Sequence, residues 1–118
     1  MKRDYLSVAD LTREEIELVF RLSLEMKEEL KRGRGKREDL SGRLFALIFE
    51  KPSLRTRVTF EGGIKQMGGD TIYLAPQDIQ LGKREAVKDV ARNLNRWVDG
   101  VVARVFSHDS LVEMAENM

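Results

Sequence analysis

Five consecutive residues, Ser53-Leu54-Arg55-Thr56-Arg57, bring two hydroxyls and two guanidiniums together directly after Pro52. A helix starting at Ser53 would add the unpaired backbone amides of its first turn and the positive end of its dipole. Together these groups form an oxyanion site, and phosphate is the obvious guest. Arginine can grip phosphate through two parallel bonds, which lysine cannot. The stretch is not a glycine-rich P-loop, because no G-x-x-x-x-G-K-[ST] occurs in the chain. The same features also describe a solvated helix start with a capping serine.

Two further residues enter the candidate site. Arg104 interrupts the apolar run Val101-Val102-Ala103 and Val105-Phe106. A charge inside a buried strand is costly unless it is paired. The choices are a ligand or an ion pair with a carboxylate such as Glu61 or Asp99, and the neighbouring anion site favours the ligand. Gln80 lies in a polar loop further along. The single histidine, His108, has no cysteine, histidine or carboxylate cluster at metal spacing, so no metal is expected. Turn chemistry suits His108 better than proton transfer. Lys31 to Arg37 is a basic, glycine-containing stretch without interleaved aromatics, which reads as a solvated loop.

The elements that must position these residues follow from periodicity. Thr12-Arg13-Glu14-Glu15 is a capping box, with Leu11 and Ile16 placed as a hydrophobic staple. The apolar positions Ile16, Val19, Phe20, Met26 and Leu30 predict a helix from about Arg13 to Lys31, ending near Gly33. Leu44 to Phe49 is a continuous apolar run, as in a strand buried on both faces. A helix follows from Ser53 to about Met67, closed by Gly68-Gly69. Thr71 to Leu74 reads as a second strand, and Ala75 to Gly82 as a loop. Val87, Val90, Ala91, Leu94, Trp97 and Val98 trace the buried face of a further helix, with Trp97 in the core. Lys83 and Arg84 open that helix against its dipole, as ordinary exposed charge. Gly100 to Phe106 is a third strand and Ser107 to Ser110 a turn. Ser110 caps a last helix.

One helix followed by three strand–helix units implies an α/β fold, a parallel sheet layered with helices and joined by right-handed crossovers. Ligands of such sheets bind beyond the carboxyl ends of the strands. Ser53–Arg57, Gln80 and Arg104 all fall there. A three-stranded sheet is small, and the expectation is one domain, residues 1–118, normally packed against more chain.

Bulk properties narrow the function classes. The chain has 118 residues, 35% charged, with net charge +1, so gross electrostatics favour neither nucleic acid nor membrane. The absence of cysteine excludes disulfides and thiolate chemistry and suits a reducing, cytoplasmic compartment. The longest apolar run is far shorter than a membrane span, and no apolar leader follows Met1-Lys2-Arg3.

Phe49-Glu50-Lys51-Pro52-Ser53-Leu54-Arg55-Thr56-Arg57, followed by Val58-Thr59-Phe60-Glu61, resembles the signature of the aspartate/ornithine carbamoyltransferase family. Asp78-Ile79-Gln80-Leu81-Gly82 and Asp99 to His108 resemble two further family segments, so the likeness spans the chain. Phe-Glu-Lys and Asp-Ile-Gln-Leu-Gly point to the ornithine branch. Leu54 stands where relatives often carry threonine. The resemblance implies an amino-terminal carbamoyl-phosphate-binding domain of an ornithine carbamoyltransferase, working without metal or cofactor in arginine biosynthesis.

It further implies that Ser53, Leu54, Arg55 and Thr56 cradle the phosphate and that Arg57 supports the loop. Arg104 would touch both the phosphate and the carbonyl oxygen. Gln80 would complete the site, from an adjacent subunit if the chain forms the family's homotrimer. Arg55, Thr56 and Arg104 would be the catalytic donors. In the family reaction the ornithine side-chain amine attacks the carbonyl carbon, phosphate leaves, and citrulline forms. The family's His-Pro-Cys-Gln segment and second, ornithine-binding domain do not occur in these residues, so the chain alone is expected to be inactive. An aspartate or other carbamoyltransferase domain and a non-catalytic anion-binding or oligomerisation module are the alternatives.

Overall fold

The computed structural model describes residues 2–33, 35, 37–81, 83 and 85–118. The chain forms two compact units, Met1–Lys36 and Arg37–Met118. The first holds a 3-10 turn, Val8–Asp10, and helix α1, Arg13–Lys31. The expected capping box is present. The Glu15 amide donates to Thr12 Oγ1 at 3.1 Å, and the Thr12 amide donates to Glu15 Oε1 at 2.9 Å. Two otherwise orphaned amides are thereby satisfied. Arg3 adds an ion pair to Glu15 at 2.7 Å.

The second unit carries the sheet. Its elements in order are β1 (Leu44–Phe49), α2 (Leu54–Gln66), β2 (Asp70–Leu74), α3 (Pro76–Ile79), α4 (Val87–Trp97), β3 (Gly100–Arg104) and α5 (His108–Glu116). The three strands are parallel in the order β2-β1-β3. β1 is therefore central, and its apolar run is explained by burial on both faces. Alternation along β1 divides the core in two. Leu47 and Phe49 pack with Ile64 of α2 on one face. Ala46 and Ile48 pack with Val87, Val90, Ala91 and Leu94 of α4 and Met114 of α5 on the other. The chain moves from β1 out to β2 through α2, then back across β1 to β3 through α4. Right-handed crossovers in opposite directions must use opposite faces, which is why α2 and α4 flank the sheet on either side.

Gly68 closes α2 with φ of +89°. A Cβ there would lie 2.9 Å from the Arg37 carbonyl oxygen, so only glycine fits both the backbone and the space.

Several sequence expectations are corrected. The loop after β2 contains the short helix α3, whose start is held by Asp78 Oδ2 accepting from the Ala75 amide at 3.1 Å. Trp97 is not in the core: it is the last residue of α4 and is 67% exposed. Lys83 does not open α4, which begins at Val87 after Ala86, and Arg84 lies outside the described residues. Of the basic stretch, Arg34 and Lys36 also lie outside them, as does Gly82 at the end of the polar loop. α5 starts at His108 with Ser107 at its cap position, three residues before the expected cap Ser110. Strand β3 stops at Arg104, two residues short of the expected end.

Candidate functional site

The strand order creates the site. The chain leaves β1 toward α2 on one face and leaves β3 toward α5 on the other. Neighbouring parallel strands whose exits diverge leave a crevice beyond their carboxyl ends, the topological switch point of an open α/β sheet. Here that crevice lies between β1 and β3.

Ser53 stands on the β1 side of this crevice as the N-cap of α2, with extended backbone (φ −154°, ψ 121°). Its Oγ accepts from the Thr56 amide at 3.3 Å. The amides of Leu54 and Arg55 open the helix and have no preceding helical carbonyl to bond. Arg55 is exposed and Thr56 half-buried. Amide donors, a hydroxyl, a guanidinium and the helix dipole thus meet at one rim position, the composition of an anion site.

Arg104 arrives from the β3 side. It is the register partner of Phe49, the last residue of β1. Val102 packs on the α2 face of the sheet, and a period of two puts Arg104 on that same face. Arg104 is therefore at the carboxyl rim, on the side where α2 begins. It is exposed, and neither expected carboxylate pairs with it. Glu61 instead meets Arg57 at 3.7 Å and accepts from Thr71 Oγ1 at 3.3 Å. Asp99 meets Arg43 at 3.4 Å and accepts from the Leu44 amide at 2.9 Å. Arg104 is thus not the buried charge that its place in the apolar run implied. Arg104 needs no partner to offset burial, because the strand ends at it.

Arg57 has different company from Arg55. Its guanidinium lies 3.5 Å from the ring centroid of Tyr73 on β2, besides the ion pair to Glu61. Tyr73 in turn meets Phe49 edge-on at 5.9 Å. Stacking and pairing of this kind hold the first turns of α2 against the sheet.

Gln80 stands apart. It follows β2 as the cap of α3, is exposed, and adopts a left-handed backbone with φ of 38°. Its neighbours Ile79 and Leu81 are buried in the α4-side cluster. β2 lies on the opposite side of β1 from β3, so the described unit does not place Gln80 at the β1/β3 crevice. His108 is exposed at the first turn of α5. Among the described residues, no group of three or more histidine, cysteine, aspartate or glutamate side chains could hold a metal.

Glu50 escaped the sequence reading as a site residue. Its amide donates to the Arg104 carbonyl at 2.9 Å, and its Oε1 accepts from the Phe106 amide at 3.0 Å. Lys51 Nζ lies 5.4 Å from the Phe106 ring centroid. A charged residue immediately after a buried strand was the available signal. A separate cavity of about 300 Å³ lies between α3 and α4, lined in part by Asp78, Glu85, Asn93 and Trp97, and shares no residue with the crevice.

A parallel α/β sheet with an open helix start and an arginine at its switch point has the composition of the phosphate-binding α/β domains. Residues 3–118 match the family described as aspartate/ornithine carbamoyltransferase, carbamoyl-P binding domain, and the chain belongs to that family. It is 43% identical over 113 residues, 96% of this chain, to ornithine carbamoyltransferase of Anoxybacillus flavithermus. It is 47% identical over 116 residues, 98% of this chain, to the Deinococcus radiodurans enzyme of the same name. The solved ornithine carbamoyltransferase from Pyrococcus furiosus superposes with a TM-score of 0.92 at 40% identity, over 98% of this chain and 36% of that one. The chain spans about a third of the length of the curated relatives it matches, 36% in both cases.

Proposed function

We propose that residues 1–118 form the carbamoyl-phosphate-binding domain of an ornithine carbamoyltransferase. The convergence of the α2 start and Arg104 on one face of the β1/β3 rim carries this reading. The relatives' names add the ornithine branch.

In this reading the Leu54 and Arg55 amides, the Ser53 and Thr56 hydroxyls and the Arg55 guanidinium hold the phosphate, while the Thr56 amide stays on Ser53 Oγ. Arg57, braced on Tyr73 and Glu61, keeps the turn in place. Arg104 reaches both the phosphate and the carbonyl oxygen. Charge grows on both as the ornithine amine attacks and phosphate departs, so donors fixed beforehand lower the barrier. Removing one such donor typically costs about 3–4 kcal/mol of barrier. Gln80, remote from the crevice within its own unit, would serve a neighbouring subunit's site in a homotrimer. Ornithine contacts would come from a second domain, and the setting would be cytoplasmic arginine biosynthesis.

Calorimetric titration with carbamoyl phosphate tests the assignment. The chain should bind it, and Arg55→Ala should weaken binding by about tenfold or more, the effect of losing a charge-assisted bond. Equal affinity in the variant would count against the site. The isolated chain should produce negligible citrulline from carbamoyl phosphate and ornithine, and robust turnover would refute that part.

A further inference from the structure

We propose that Glu50 is a positioning residue that sets the span between the two halves of the anion site. The proposal rests on the reading above. Past Phe49 the chain turns away to α2, and past Arg104 it turns away to α5. Glu50 makes the last crossings before the two exits part. Its amide donates to the Arg104 carbonyl at 2.9 Å, and its carboxylate accepts from the Phe106 amide at 3.0 Å.

Residues 104 and 106 are thereby fixed to one residue that stands three positions before the Ser53 cap. The Phe106 amide lies beyond the strand, and the Glu50 carboxylate supplies the acceptor that the ladder does not. The neighbouring Lys51 ammonium over the Phe106 ring reinforces the same crossing. Pro52, next in line, has no amide to continue the ladder. Glu50 therefore governs where Arg104 stands relative to the α2 start, without itself being needed to touch a ligand.

A ligand that spans both halves must feel this tether, and a ligand held at the α2 start alone need not. Carbamoyl phosphate meets Arg104 through both its phosphate and its carbonyl oxygen, whereas inorganic phosphate is held mainly at the α2 start and lacks the carbonyl contact. Both are titrated calorimetrically into the wild-type chain and into Glu50→Ala, Glu50→Gln and Glu50→Asp. Glutamine keeps an oxygen acceptor at the same reach, whereas aspartate keeps the charge and shortens the reach.

The expected result is a preference of the wild type for carbamoyl phosphate over phosphate that falls about tenfold in the alanine and aspartate variants and recovers in the glutamine variant. A preference unchanged in Glu50→Asp overturns the tether while leaving the site intact, and the aspartate arm stands even should the alanine variant not fold. A preference lost equally in Glu50→Gln overturns it too, since charge rather than reach would then be at work. A wild type that binds neither ligand fails earlier, at the function proposed for the domain.

Discussion

Ser53 can be asked to separate its two duties. In the folded chain its Oγ caps α2 by accepting from the Thr56 amide. At 3.3 Å this bond is longer than the usual N–H···O distance, which places its worth in the lower part of the range for serine caps, about 0.5–1 kcal/mol. Ser53→Ala should lower the thermal midpoint of a domain of this size by about 2–8 °C. Ser53→Asp should not, because aspartate caps as well as serine and its charge suits the positive helix end. Yet the same carboxylate would occupy the place proposed for phosphate. Two unit charges about 4 Å apart repel by about 4 kcal/mol at an effective dielectric near 20. Even after screening by salt, affinity for carbamoyl phosphate should fall about a hundredfold or more. Thermal unfolding and calorimetry on the same samples read both quantities. An aspartate variant that keeps its midpoint and binds carbamoyl phosphate like the wild type would refute the idea that the anion sits at the start of α2.

Three other perturbations follow from the geometry. Gly68→Ala forces a side chain into a left-handed conformation and against the Arg37 carbonyl, so chemical denaturation should show a loss of about 1–3 kcal/mol. Arg57→Ala removes the guanidinium from Tyr73 and Glu61 and should lower stability by about 1 kcal/mol, whereas Arg55→Ala, exposed and unassigned to any such pair, should leave the midpoint nearly unchanged. The hydrogen bond from Arg3, with that from the Thr12 amide, holds the Glu15 carboxyl down at about 2 instead of 4.5. A folded-state value below the unfolded one means that Glu15 supports α1 above pH about 4.5 and that this support is lost as pH falls toward 2. Circular dichroism across that window should show helix loss that Glu15→Gln makes shallower; identical acid profiles would disprove the link.

Much of the framework was legible in local pattern. The Thr12–Glu15 box depends on residues three apart, and it formed as read. The run Leu44–Phe49 gave β1 with its observed ends, because a strand covered on both faces must be apolar throughout. Ser53 after Pro52 gave the start of α2. The errors lie at element ends. Trp97 keeps the helical phase of Val90 and Leu94, yet as the last residue of α4 it stands 67% exposed beside the cavity between α3 and α4. Arg104 was read as buried because Val105 and Phe106 prolong the apolar run, though the ladder had already ended.

Local pattern was enough to set the kinds of element, their order and the donors gathered at residues 53–57, because caps, turns and periodicity act over a few residues. Strand pairing in the folded chain puts β1 between β2 and β3, Arg104 on the same face as the start of α2, and Glu50 across their exits. Those relations depend on which strands pair and in what register, and they link residues about fifty positions apart. Nothing in the spacing of side chains along the chain encodes such a pairing until the two faces of the sheet are filled.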